Sequence, residues 1–399
     1  MLPKDSIREN VLSSAEYLNR KAPFFRLVQS DASSRIDRHA DAILVNLAWS
    51  CDSEKPLASA LRSSYYYDAL VNENVNLLHA VQQDSDPTYD YMRYWHGSLV
   101  ILRPLLVFFT LPQIYVLGGI VLAVLFLFAA VSILRAYGKM PFFGFLLAAC
   151  LCSLWYVPFS LEYMPVFLIS FTAVPVTIAV QRRNPSRLGI LFFILGSLTA
   201  YTDFLTTETL TCLLPLSLVL LKDCKKPFSR ALSSALLWLT AYGATWSTKW
   251  ILYSVTFREN GISDALAQTA YRTGGEAVSG GIVSQISGAL LRNLRCLFPF
   301  SLCSDSAGML MPVLTLVLCA MVFWVIRKQN GLSPVIFVYF LIGLVPYIRY
   351  ALLSNHAYIH YFFTYRAQFA SIFCLFLIFA LGTDYEFLKK EFKKIKRKK

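Results

Sequence analysis

Two aspartates, four positions apart, are the first residues whose types and spacing suit catalysis. Asp37 and Asp41 lie in segment 34–43 and share one face of a helix if that segment is helical. Paired carboxylates can supply a base that takes a proton from a hydroxyl, or they can hold a divalent cation. The structural alternative is a helix start, where acids are favourable at the positive end of the helix dipole and Arg35 and Arg38 are solvated partners.

A group of potential cations enters the first apolar segment of the chain. Arg93 and His96 precede this segment and Arg103 lies inside it, close to Tyr94 and Trp95. An interfacial aromatic belt explains the two rings but not the three basic residues. The basic residues could clamp a phosphate, for which arginine offers bidentate hydrogen bonds, or they could extend to lipid headgroups. The sequence leaves these two interpretations equal.

Acids and threonines gather between two apolar stretches at 198–209. Asp203 and Glu208 lie in either an ordinary polar hairpin tip or part of a sugar site. Lys249 lies within or at the end of a later apolar stretch, where an unpaired ammonium is costly. Pairing with Asp203 or Glu208 would satisfy Lys249 structurally and a phosphate would satisfy it functionally, and we favour the pairing.

A fourth polar group lies among aromatic residues near the C-terminal end and consists of Asn355, His356, His360 and Arg366. The two histidines are spaced as i and i+4, which can bind a metal, but the glutamate that follows the first histidine of a zinc protease is absent. Aromatic rings stack on sugar faces while cations meet a phosphate, so the group favours a carbohydrate or phosphate-sugar pocket. The alternative is an interfacial aromatic belt.

The composition indicates that lipid surrounds most of the chain. Of 399 residues, 56% are hydrophobic and 15% are charged, whereas about 25% of residues are charged in an ordinary soluble domain. Apolar stretches of roughly 20 residues, the length that crosses a hydrocarbon core, recur from Gly97 almost to the C-terminus. Much of the net charge of +13 lies in short loops and in 389–399, which favours a tail facing anionic lipid over nucleic-acid binding.

Length and periodicity predict an all-α polytopic protein with about nine membrane-spanning helices. Every second loop is basic, so the positive-inside rule places those loops and the tail in the cytoplasm. The chain then divides into an extracytoplasmic helical region 1–98, a transmembrane domain 99–384 with an outer loop 255–308, and a basic cytoplasmic tail 385–399. The predicted spans are 112–135, 141–157, 165–181, 188–203, 207–221, 231–254, 309–326, 332–352 and 367–383.

The outward position of residues 1–98 requires a route across the membrane. No signal peptide or anchor is recognisable in this region. We therefore expect a further spanning helix before Met1, and the alternative is N-out insertion without a signal.

The outer loop contains the glycine-rich stretch 273–281. Its glycines are too frequent for a stable helix and too irregular for a nucleotide-binding motif. The stretch predicts a mobile loop that is either a gate or a simple connector.

The segments 93–97, 203–206, 249–250 and 355–366 resemble an uncharacterised family of membrane proteins from low-GC Gram-positive anaerobes, and its architecture is similar to the GT-C glycosyltransferase fold. In GT-C enzymes a first transmembrane helix leads into a large outer loop with an essential aspartate, and a polyprenyl-phosphate sugar is the donor. The resemblance implies that Asp37 or Asp41 is the base. The chain departs from the GT-C pattern in one respect. No tight acidic pair directly follows a first helix, and Asp37 instead lies well inside the loop.

Together these features predict a glycosyltransferase of the cell membrane that moves a sugar from a polyprenyl-phosphate donor to a cell-envelope acceptor on the outer face. The alternative is a transporter or flippase for a lipid-linked or anionic substrate, which would use the same cations without catalysis. No cofactor is predicted apart from a divalent cation as one option at the aspartates. The predicted roles are a base at Asp37 or Asp41, phosphate or donor binding by Arg93, His96, Arg103, Lys249, His356, His360 and Arg366, and sugar contacts or pairing by Asp203, Glu208 and Asn355.

Overall fold

The fold was analysed in a computed structural model, which describes residues 2–222, 225–274, 281–328, 331 and 333–397. Regular structure in these ranges is nearly all helical, as the composition and periodicity predict. The few strands form two short antiparallel pairs near the N-terminus. Part of the glycine-rich stretch, residues 275–280, lies outside the described residues.

The region before residue 98 packs three helices together, and their buried side chains are continuous with the core of the rest of the molecule. Trp49 is fully buried there, and its indole N–H donates to the Ala80 carbonyl oxygen at 3.1 Å. Leu18 and Leu77 pack in the same core. Its elements, together with the apolar helix that follows, are α1 (Arg8–Asn19), β1 (Phe24–Arg26), β2 (Arg35–Asp37), α2 (Arg38–Ser50), α3 (Pro56–Arg62), β3 (Ser64–Tyr65), α4 (Glu73–Gln82), β4 (Tyr89–Asp90) and α5 (Leu99–Phe108). Strand β1 pairs with β2, and β3 pairs with β4.

The remaining helices form the apolar body of the molecule. They are α6 (Leu111–Tyr137), α7 (Lys139–Leu151), α8 (Met164–Arg183), α9 (Leu188–Thr202), α10 (Leu210–Val219), α11 (Pro227–Phe257), α12 (Gly261–Thr273), α13 (Gly281–Arg295), α14 (Asp305–Ile326), α15 (Pro334–Leu352), α16 (Ser354–Ile359), α17 (Tyr361–Thr364), α18 (Gln368–Gly382) and α19 (Tyr385–Arg397).

Within the described residues, five helical stretches are long and apolar enough to cross a membrane. They are α6, α8, α14, α15 and the continuous stretch Tyr361–Gly382. Large apolar side chains on their surfaces, such as Val124 and Trp324, are exposed, as lipid-facing residues are. These helices are those of a multi-pass membrane protein.

Each of the nine predicted spans overlaps a helix, but not every one of those helices meets the length and hydropathy expected of a span. Helices α7, α9 and α10 contain 13, 15 and 10 residues, and a straight crossing takes roughly 20. Helix α11 has 31 residues but is not among the stretches that are apolar enough to cross a membrane. The prediction of nine spans thus stays a prediction.

Helices of the apolar body pack closely against one another, and polar segments lie at their ends. Gly196 on α9 lies against the backbone of α11 at Trp238, where a Cβ atom would overlap the carbonyl oxygen. At the end of α9 the Gly97 N–H donates to the Tyr201 carbonyl oxygen at 2.8 Å. This contact holds the segment before α5 beside the last turn of α9.

Candidate functional site

A cavity of about 240 Å³ lies where the N-terminal region meets the ends of the apolar helices. We call it the small cavity. Several distant parts of the chain contribute to its wall, including three of the predicted groups of polar residues. Its lining residues are Asp37, His39, Ala40, Ile43, Leu44, Tyr91, Arg93, Tyr94, His96, Glu162, Phe204, Gln268, Tyr271, Arg272, Asn355, His356, Ile359, His360 and Phe363.

Asp37 is an acid of the small cavity and the residue that caps α2. Strand β2 ends at Asp37 and the helix begins at Arg38, so Asp37 precedes the helix. Its Oδ1 atom accepts a hydrogen bond from the Ala40 N–H at 2.8 Å. Burial raises the pKa of Asp37 to about 6, against the lowering effect of that hydrogen bond. The side chain is therefore mostly ionised at neutral pH and can accept a proton.

Asp41 lies one turn further along α2 and does not line the small cavity. Its carboxylate accepts hydrogen bonds from the Tyr115 hydroxyl, from Ser160 Oγ at 3.0 Å and from the Leu161 N–H at 2.8 Å. These bonds hold the segment just before α8 against α2. In this arrangement Asp41 positions the segment that carries Glu162.

Glu162 is a lining residue that was not among the predicted site residues. Its Oε2 atom is buried without a hydrogen-bond partner among the described residues. Burial, followed by the neighbouring Asp37, raises its pKa well above the usual value, so the side chain is protonated and can donate a hydrogen bond. The sequence could have pointed to Glu162, because it is the single acid between the predicted spans 141–157 and 165–181.

Two arginines supply positive charge to the small cavity. Arg93 Nε lies 3.3 Å from Asp264 Oδ2, which partly neutralises it. Arg272 donates to the Tyr94 hydroxyl and lies 5.3 Å from the centre of that ring, and it makes no ion pair with a described carboxylate. Arg272 was not predicted. The sequence does contain a clue to this residue. Gln268 and Arg272 are four positions apart, so α12 places both on one face.

Three lining histidines are neutral, and of these His96 and His356 are buried while His360 is half-buried. The rings of His356 and His360 lie 4.8 Å apart between their centres. Burial lowers the pKa of His360 to about 3, and it lowers the pKa values of His356 and His96 well below the usual value. Neutral histidines of this kind can hydrogen-bond a polar ligand. Among the described ranges, no group of three or more histidine, cysteine or acidic side chains is arranged to hold a metal ion.

His39 differs from these three histidines, although it lines the same cavity. Its Nδ1 lies 2.8 Å from Glu73 Oε2. Burial acts to lower the pKa of His39, but the hydrogen bond and the charge of Glu73 outweigh it and the pKa is raised.

Five buried polar atoms of lining residues have no hydrogen-bond partner in the described part of the chain. They are His96 Nδ1, Glu162 Oε2, Asn355 Oδ1, His356 Nδ1 and His360 Nδ1. Buried polar groups in folded proteins are nearly always hydrogen-bonded, because leaving one unpaired is costly. So many unpaired atoms around one cavity favour a polar ligand with several donors and acceptors.

Other predicted site residues lie elsewhere. Arg103 lines a second, larger cavity, and Arg366 is buried with its guanidinium 4.8 Å from the ring centres of Tyr163 and Tyr365. Asp203 accepts hydrogen bonds from the backbone N–H and the hydroxyl of Thr206. None of these residues lines the small cavity.

The expected pairing of Lys249 with Asp203 or Glu208 is wrong. Lys249 Nζ donates to Ser63 Oγ at 2.7 Å and to the carbonyl oxygens of Ala60 and Tyr94. Glu208 instead pairs with Arg349, at 2.5 Å between Oε1 and Nε. The prediction failed because α11 places Lys249 against the N-terminal region and not against the loop after α9.

Comparisons of the chain with protein-family models, with curated proteins and with solved structures give no match. The resemblance to GT-C enzymes thus stays a prediction, and the chemistry of the small cavity carries the inference of function.

Proposed function

We propose that this protein is a membrane glycosyltransferase that moves a sugar from a polyprenyl-phosphate donor to a cell-envelope acceptor on the outer face of the cell membrane. One observation carries the proposal. A buried carboxylate with a pKa of about 6, Asp37, lines the same small cavity as Arg93 and Arg272. A base and two phosphate-binding cations are the groups that such a transfer needs.

Asp37 is the base in this proposal. It takes the proton from the acceptor hydroxyl as that oxygen forms a bond to the anomeric carbon of the sugar. The bond between the anomeric carbon and the phosphate oxygen breaks, and its electron pair stays on the lipid phosphate. The pKa of about 6 keeps Asp37 ionised at neutral pH without making it a very weak base.

The two arginines stabilise the leaving phosphate. Arg272 is better suited to this role, because it pairs with a tyrosine hydroxyl and not with a carboxylate among the described residues. Arg93 contributes less, because Asp264 shares its charge. Guanidinium groups bind phosphate through paired hydrogen bonds, and these bonds strengthen as negative charge develops on the oxygen.

The remaining polar groups suit the sugar. Protonated Glu162 donates a hydrogen bond, while His356, His360 and Asn355 offer the unpaired atoms described above. The ring of Phe363 lies in the same wall, stacked against His360, and contributes apolar surface beside the sugar. Because Phe363, in the apolar stretch Tyr361–Gly382, lines the cavity, the lipid part of the donor can remain in the bilayer during transfer.

The test is sugar transfer in membranes that contain the protein, supplied with radiolabelled polyprenyl-phosphate sugars. We expect Asp37→Asn to lower the turnover by about 10²- to 10⁴-fold, the usual contribution of a general base, at an unchanged protein level. Asp41→Asn is the matched control, since it changes an aspartate on the same helix that does not line the cavity. It should reduce the amount of folded protein more than the turnover per folded molecule.

Two results would contradict the proposal. One is an absence of transfer with every donor tried, and the other is full transfer by Asp37→Asn. In either case the transporter or flippase becomes the better explanation, and movement of the same labelled lipids across proteoliposome membranes would test it.

A further inference from the structure

A second cavity, of about 1050 Å³, lies between the N-terminal region and the start of the apolar body. We call it the large cavity. It shares one wall residue, His96, with the small cavity. Its wall combines aromatic rings, apolar side chains of α5 and one buried arginine, and the residues that matter here are Trp49, Trp95, Val100, Arg103 and Phe257.

Arg103 is the only charged residue of α5, and it is 5% exposed. Its Nη1 atom donates to the Cys51 carbonyl oxygen at 2.7 Å and its Nη2 atom to the Leu2 carbonyl oxygen at 2.8 Å. Its Nε atom is buried and has no partner among the described residues. Both partners are neutral, so within the described part of the chain the positive charge is held by dipoles alone. A buried charge without a counter-charge is costly.

The carboxylates that line the large cavity do not neutralise Arg103. Asp90 pairs with Arg62, at 2.5 Å between Oδ2 and Nη1. Asp52 and Asp86 are exposed to solvent. An anion bound beside Arg103 would supply the missing counter-charge.

Helix α5 also presents an apolar face beside the large cavity. Val100, Ile101 and Phe108 are 64%, 67% and 73% exposed. In a multi-pass membrane protein such a face lies against lipid. The large cavity thus adjoins both a buried cation and a surface that fits hydrocarbon, and a molecule with a phosphate head and an apolar chain would match both.

We propose that the large cavity binds the phosphate group of a membrane lipid, with Arg103 as its counter-ion and the lipid chains lying along α5. This site is separate from the donor site in the small cavity. The proposal does not depend on the proposed function, because it rests on Arg103, α5 and the large cavity.

The experiment is native mass spectrometry of the detergent-solubilised 399-residue chain, titrated with dioleoyl phosphatidic acid. Dioleoylglycerol has the same chains without the phosphate, and inorganic phosphate has no chains. We expect one phosphatidic acid to bind per protein, weak binding of dioleoylglycerol, and no competition by inorganic phosphate. Arg103→Gln should weaken phosphatidic acid binding about tenfold or more, as expected for a lost charge-assisted hydrogen bond.

Arg20→Gln is the control, because it removes an exposed arginine from the same N-terminal region. It should bind phosphatidic acid as the wild type does. Binding by Arg103→Gln at wild-type affinity, equal binding of dioleoylglycerol, or displacement of the lipid by inorganic phosphate would each overturn the proposal. If Arg103→Gln does not fold, Val100→Trp is the deciding variant. It adds a bulky ring to the α5 wall of the large cavity, where the lipid chains are proposed to lie, so weaker lipid binding supports the site and wild-type binding overturns it.

Discussion

Two groups of ionisable residues in the interior of this protein differ in how completely they are paired. Glu208 binds Arg349 through both carboxylate oxygens, at 2.5 and 2.9 Å, and Arg349 also donates to the Leu205 carbonyl oxygen at 2.6 Å. In the wall of the small cavity, by contrast, Glu162 and three histidines keep buried atoms without described partners. In the ion pair only Arg349 Nη1 lacks a described partner, whereas the wall of the small cavity keeps several unpaired atoms whose hydrogen bonds a ligand would complete.

The largest expected effect comes from breaking the paired group. Replacing Arg349 by Leu should destabilise the protein by about 3–5 kcal/mol, because Glu208 then stays buried without its partner. The measurement is the thermal unfolding temperature of the detergent-solubilised protein. The double variant with Arg349→Leu and Glu208→Gln should recover much of that loss, since no buried charge remains. A double variant no more stable than Arg349→Leu would show that the pair is not a self-contained unit.

The two arginines of the small cavity also differ in how they are paired, within one site. Arg272→Gln should raise the KM for a polyprenyl-phosphate sugar by about tenfold or more, because it removes a charge-assisted hydrogen bond. Arg93→Gln should raise the KM less, because Asp264 already pairs with Arg93. Steady-state kinetics with each variant measures this order. The reverse order would place the phosphate at Arg93.

The pH dependence tests whether Asp37 is the ionised base. Its pKa of about 6 predicts that kcat/KM falls as the pH drops below that value, by about tenfold per pH unit, because the protonated carboxyl cannot accept a proton. Glu162→Gln should keep this acidic limb near the same pH, since burial is the main cause of the raised pKa of Asp37. An acidic limb near pH 4, the ordinary range of an aspartate, would exclude a buried Asp37 as the base.

The smallest expected effect concerns one neutral histidine. His360→Gln keeps a hydrogen-bonding group but moves it, so the KM for the sugar donor should rise by about twofold to tenfold, the value of one neutral hydrogen bond. The unfolding temperature should change little, because the described residues offer no partner to His360 Nδ1 that the variant would lose. A large fall in that temperature with an unchanged KM would make His360 a structural residue.

The sequence predicted the helical class of the fold, and it predicted the lining of the small cavity only in part. Asp37, Arg93, His96, Asn355, His356 and His360 do come together around the small cavity, but Glu162 and Arg272 also line it and were not predicted. Asp37 and Asp41 could not be distinguished by their spacing. Their surroundings differ because α2 begins at Arg38, so that Asp37 faces the cavity while Asp41 meets Tyr115 and Ser160.

The sequence by itself determined that the protein is helical and that several of its helices suit a membrane. Those properties depend on the length and apolar character of continuous stretches, which a single chain segment carries within itself. Only the tertiary structure decided which polar residues meet. The partners of Lys249 and the neighbours of Asp37 come from distant segments, and their contacts depend on how α11, α12 and the segment before α8 pack against the N-terminal region.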